Sequence, residues 1–141
     1  MNLEIKQPKR QVSARRITNN YRAPVLSVTL EKHNSIWVLS QELHRLAGLD
    51  AGYKVNIAQD KDTSDWYVGF SKTGNGQTLR FTGGKYSLVF RHKEAAKDIL
   101  GDELVYASFL VKLEPSVEGE ITWYKILTNS PLYAERKDNH N

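Results

Sequence analysis

The sequence predicts an α+β, mostly β fold: an internally duplicated ββαββ unit forming a pseudo-twofold, barrel-like structure with two short helices. Three observations lead there. Short runs with strand character recur between turn signals. Two short segments read as helices, the first of them with caps at both ends. The two helix regions also match each other: Ser35-Ile36-Trp37-Val38 corresponds to Ser87-Leu88-Val89-Phe90, and Glu42 to Glu94, at an offset of 52 residues, while Trp66-Tyr67 corresponds to Trp123-Tyr124 at an offset of 57. Each half reads strand, strand, short helix, strand, strand. Eight short strands favour a closed or nearly closed β structure, because closure removes exposed edges.

Val25–Glu31 alternates over part of its length and reads as a half-buried strand. His33-Asn34-Ser35 is a turn signal, and Ile36–Leu39 completes a hairpin. Ser40 is a natural N-cap for a helix over Gln41–Ala47, with Glu42 in its first turn and Gly48 just beyond its end. Asp50-Ala51-Gly52 turns the chain into the alternating strand Tyr53–Ala58. Gln59–Asp65 is a polar loop, and Trp66–Phe70 is an aromatic strand. Thr73–Gly76 reads as a hairpin turn into Thr78–Thr82, with Leu79 and Phe81 on one face and Arg80 on the other. Gly83-Gly84 turns into Tyr86–Phe90, and residues 92–100 form the second helix. Val105–Leu113 and Ile121–Leu127 are long strands around a Pro115–Gly119 loop, and the chain after Pro131 reads as a frayed polar tail. The resulting organisation is a basic arm (1–22), one domain (23–129, with repeats at about 25–71 and 78–128) and a polar tail (130–141).

At 141 residues, with 40% hydrophobic and 26% charged residues, the chain can bury a sizeable core. It has no cysteine, so disulfides and thiolate chemistry are excluded. No apolar run approaches the ~20 residues of a membrane span. The first sixteen residues lack the apolar stretch of a signal peptide, so a cytoplasmic location is expected.

The net charge of +4 is unevenly spread. Lys6, Lys9, Arg10, Arg15, Arg16 and Arg22 stand against Glu4 alone in residues 1–22, which leaves 14 basic and 15 acidic side chains for the rest. The arm has no apolar period and reads as mobile. Such a segment suits phosphate contacts, because each neutralised phosphate releases a counterion. A second cluster, Arg80, Lys85, Arg91, Lys93 and Lys97 against Glu94, precedes an acidic stretch over residues 98–120. Together they point to DNA as partner, single- or double-stranded, with the arm, Arg80, Lys85, Arg91 and Lys93 on phosphates and Trp66 stacking on a base.

The text SIWVLSQELHRLAGLDAGYKVNI over Ser35–Ile57 resembles the AbrB-type swapped-hairpin module of bacterial transition-state regulators. Leu39-Ser40 stands where that family has an isoleucine-proline step, and Gly52-Tyr53-Lys54-Val55 where it has glycine-aspartate-lysine-valine. The resemblance implies a DNA-binding module that closes as a dimer; the duplication supplies both halves in one chain. Residues 53–100 are also similar in element order, ββββα, to transcription-coactivator and Whirly-type single-stranded DNA binders. That resemblance implies a surface of Trp66, Tyr67, Phe70, Arg80, Phe81, Lys85 and Arg91.

Enzymatic signals are missing. His33, His44, His92 and His140 form no spaced metal motif, and there is no nucleophile elbow or P-loop. Glu42 and Glu94 are explained by helix dipoles, and Trp37, Trp66 and Trp123 by a core or half-buried sheet. The expectation is therefore a non-enzymatic DNA-binding protein of bacterial or phage type, without metal or cofactor. The alternative is a protein-interaction or phage assembly module, and either reading is compatible with a homo-oligomer.

Overall fold

The two-residue period of the apolar positions builds the molecule. In the computed structural model, which describes residues 22–32, 34–82 and 87–137, the strands are β1 (Val25–Glu31), β2 (Asn34–Leu39), β3 (Lys54–Gln59), β4 (Trp66–Ser71), β5 (Gln77–Thr78), β6 (Arg80–Phe81), β7 (Leu88–Phe90), β8 (Leu104–Glu118), β9 (Ile121–Ile126) and β10 (Tyr133–Arg136). The helices are α1 (Gln41–Leu46) and α2 (Lys93–Leu100). All pairings are antiparallel, in the order β5-β3-β4-β9-β8-β1-β2-β7-β6, with β10 added to β8. The two ends of this path, β5 and β6, are separated only by Leu79. The Leu79 N–H donates to the Tyr53 carbonyl and the Gly52 N–H to the Leu79 carbonyl, both at 2.8 Å. The sheet thus curls into a nearly closed barrel, which leaves little unpaired edge.

The core fills the inside. Leu26, Val28, Trp37, Leu39, Leu43, Val55, Val68, Leu79 and Leu88 are fully buried. Trp37 stacks on Phe90 with ring centroids 5.4 Å apart, and Phe70 meets Tyr124 at 6.1 Å. Burial pushes the Tyr124 hydroxyl above its ordinary pKa. Between β1 and β8 the buried hydroxyls of Ser27 and Ser108 lie 3.1 Å apart, and Ser108 donates to Tyr106.

The first helix forms where its cap predicts it, and the second, expected over residues 92–100, begins at Lys93. Ser40 Oγ accepts from the Leu43 and Val25 N–H groups and donates to the Ala23 carbonyl, which ties the start of α1 to the start of β1. In α2 the cap is His92 itself, whose Nδ1 accepts from the Ala95 N–H at 3.3 Å.

Several local expectations are corrected. Asn34 and Ser35 pair with Glu31 and Leu30 as part of β2, so they belong to the strand rather than to the turn, and Lys32 follows β1 at φ +49°. The Thr73–Gly76 segment is a turn, and Gly76 (φ +141°) has Val55 O where a side chain would begin, yet β4 and β5 do not pair: each lies beside β3. The expected Thr78–Thr82 strand is split at Leu79, where the chain passes from β3 to β7, and Phe81 is 44% exposed beside His44 rather than inside. The Pro115–Gly119 loop is absent: β8 runs on to Glu118 with a register shift between Lys112 and Ser116, and Gly119 turns the chain. In place of a frayed tail, β10 pairs with β8.

Candidate nucleic-acid interface

The site begins from the core pair Trp37 and Phe90. Trp37 Nε1 donates to the His92 carbonyl (3.1 Å), and the His92 N–H donates to Ser35 Oγ (3.2 Å). These bonds hold the end of β7 and the start of α2 against β2. Arg91 lies between them, its Nη1 donating to the Ser35 carbonyl at 3.2 Å. Arg80 sits opposite Val89 on the outward side of the β6–β7 pair.

Two adjoining depressions result. One, of about 230 Å³, is lined by Gln77, Thr78, Arg80, Val89 and Arg91, among others. The second, of about 280 Å³, is lined by Ser35, Gln77, Arg91, His92, Lys93 and Glu94, together with Asn34. Gln77 and Arg91 belong to both. Among the described residues, Arg80 and Arg91 therefore line one depression and Arg91 and Lys93 the other, against a single lining carboxylate, Glu94. Among the described residues none of the ion pairs, which join Arg45 to Glu42, Lys112 to Glu114, Lys125 to Asp65 and Arg136 to Glu103, involves Arg80, Arg91 or Lys93. The first turn of α2 opens on the second depression, so its free N–H groups add to the positive field. Lys97 follows one turn along α2 from Lys93.

Arg80, Arg91 and Lys93 are thus brought together. Lys6, Lys9, Arg10, Arg15, Arg16 and Lys85 lie outside the described residues. Arg22 is exposed at the entry to β1, beside β8, which is three places from β7 in the strand order. Trp66 packs partly against the core and pairs with Gln59, five residues along β3 from Lys54, where β5 pairs; that separation is roughly 17 Å. Phe70, which the second resemblance places on the binding surface, is 3% exposed and belongs to the core. Gln77 and Ser35 were not legible as site residues, because an uncharged side chain gains its place only from the closure of the barrel. Glu42 is held by Arg45 at 2.6 Å.

Among the described residues no group of three or more His, Cys, Asp or Glu side chains is placed to hold a metal ion, and no helix is long and apolar enough to cross a membrane. Comparison with protein-family models, curated proteins and solved structures returns no match for the chain.

Proposed function

We propose that this chain is a non-enzymatic DNA-binding protein, a transcriptional regulator of bacterial or phage type, built from a duplicated ββαββ unit. The observation that carries the reading is the pair of adjoining depressions that Arg91 joins, one with Arg80 and one with Lys93, in which among the described residues these cations have no ion pair and Glu94 is the one lining carboxylate. Phosphate oxygens satisfy such groups, and the basic segment before β1 adds further contacts.

Strand register supports the duplication. Val28↔Trp37 and Thr29↔Ile36 in the first hairpin become Arg80↔Val89 and Phe81↔Leu88 in the second when every number rises by 52. The two caps, Ser40 and His92, and their donors, Leu43 and Ala95, keep the same offset. Trp66 and Trp123 lie in β4 and β9, which pair with each other. A duplicated barrel of paired hairpins is the arrangement that the resemblance to swapped-hairpin modules implies, with both halves in one chain.

The test is a fluorescence-anisotropy titration with single- and double-stranded DNA, from about 50 mM to about 200 mM salt. Binding is expected to weaken linearly in log-log form. The R80A/R91A/K93A variant is expected to lower the affinity and reduce the salt slope by about 2–3. Absence of binding at the lowest salt, or binding without a salt slope, overturns the reading. The 14 basic and 15 acidic side chains outside the arm, with Leu46, Phe81 and Val117 exposed, favour the second reading, a protein-interaction or assembly module. It is selected if neutralising Arg15 and Arg16 abolishes an oligomer or protein complex and leaves DNA affinity unchanged.

A further inference from the structure

A second cleft, of about 330 Å³, lies on the outer face of β3, β4, β8 and β9. It is lined by Tyr67, Trp123, Ser116, Gln59, Asp60 and Glu118. Val68 and Phe70 point into the core, so Tyr67 and Gly69 face outward. The Trp123 indole lies across Gly69: a methyl group there would meet its Cε3 at 2.6 Å. The cleft therefore offers aromatic surface and two carboxylates, and among the described residues no cation lines it. The cations nearest in register are occupied, Lys125 by Asp65 at 3.3 Å and Lys112 by Glu114 at 3.2 Å. Asp60 Oδ1 accepts from the Asp62 and Thr63 N–H groups, while among the described residues no bond to its second oxygen is made. No ion pair among the described residues reaches Glu118.

We propose that this cleft receives a cationic side chain of the chain's own N-terminal segment, residues 1–21, with Arg15 or Arg16 in the aromatic pocket. Charge and chemistry select the occupant: carboxylates beside Trp and Tyr faces favour a guanidinium or ammonium group and repel a polyanion. The point of departure selects the source. The Val111 N–H donates to the Pro24 carbonyl at 2.9 Å, and Val25 pairs antiparallel with Leu110. Because β1 is antiparallel to β8, the start of β1 lies at the Leu110–Val111 level of β8, on the side from which β8 continues to Ser116 and Glu118. Ser116 is five residues past Val111 across a register shift, at most roughly 17 Å away, whereas the eight or nine residues separating Arg16 and Arg15 from Pro24 span up to about 30 Å. The segment carries Lys6, Lys9, Arg10, Arg15 and Arg16 against Glu4. The contact stands apart from the DNA reading, because it requires only the acidic cleft; a DNA partner competes for the same cations.

The chain has no cysteine, so Ser13→Cys gives the full-length protein one labelling site. A nitroxide placed there is expected to broaden the Trp123 indole N–H and the Tyr67 and Glu118 amides in a nitrogen-15 spectrum recorded without nucleic acid. Broadening is expected to be lost in D60N/E118Q and at about 1 M salt, where screening shortens to about 3 Å. Both substituted side chains are outside the core, and unchanged shifts elsewhere report an intact fold. Uniform broadening, broadening centred elsewhere, or broadening that persists in D60N/E118Q overturns the proposal. Broadening that requires mixing labelled with isotope-enriched chains assigns the contact to a second copy and overturns it as well.

Discussion

Gly69 shows how much a single side chain controls on this molecule. It is not a turn residue; it occupies the middle of β4, where a β-carbon would lie 2.6 Å from both Trp123 Cε3 and Ile121 Cγ2. Its missing side chain is what lets the indole rest on the sheet. Gly69→Ala is therefore expected to destabilise the protein by about 1–3 kcal/mol, the usual cost of overpacking. The urea midpoint should fall with an unchanged m-value. In a Trp123→Ala background the same substitution should cost much less, because only the Ile121 contact remains to be relieved. Equal costs in the two backgrounds would show that the indole does not seat on Gly69. Arg91 makes the complementary point. Its charge is plain in the sequence, but its aim is set by the Ser35 carbonyl, 56 positions earlier in the chain.

At the scale of elements, α1 and α2 differ chiefly in how they begin. Ser40 belongs to the preferred N-cap residues and histidine does not, yet His92 Nδ1 takes the corresponding bond from the Ala95 N–H. The backbone at His92 is held independently by Trp37 and Ser35. Substitution thus isolates the cap. His92→Ala is expected to cost about 1 kcal/mol, whereas His92→Ser should match or exceed the parent in urea unfolding. Identical midpoints for the two variants would remove the cap from the account of α2. A cap of this kind explains why the first helix was legible: the bond that starts it lies within three residues, and Gly48 (φ +65°) ends it with equally local chemistry, whereas the histidine cap of α2 is no sequence signal. The alternation of β3 and the aromatic run of β4 were legible for the same reason. The division of the Gln77–Phe81 segment was not. Its alternation breaks at Leu79 because the segment changes partner there, from β3 to β7, and Leu79 turns inward while Phe81 is left outside. Strand β10 was hidden likewise, since its polar residues become a strand only against the edge that β8 offers. Of the candidate site, the charges of Arg80, Arg91 and Lys93 could be read directly; their proximity depends on the closure through Leu79 between β5 and β6 and on the pairing of β6 with β7.

Closure also sets how the whole molecule holds together. Divided between residues 82 and 83, the chain yields two pieces with one helix each: β1–β2, α1, β3–β4, β5 and β6 in the first, and β7, α2, β8–β9 and β10 in the second. The pairings that join the barrel cross the division. β1 lies on β8, β2 on β7 and β4 on β9, and the core contacts of Trp37 with Phe90 and Phe70 with Tyr124 cross it too. Either piece alone exposes sheet edges and half a core. The intact protein is therefore expected to unfold in one transition, with coincident fluorescence and circular-dichroism curves. Separate fragments 1–82 and 83–141 should show little β structure until mixed. A fragment that folds alone, or two resolved transitions in the full chain, would mean that the two halves are independent units rather than one barrel. The division also parts Arg80 from Arg91 and Lys93. Recovery of DNA binding should accordingly follow recovery of β structure on mixing, because the basic hollow exists only where the closing segment meets β7.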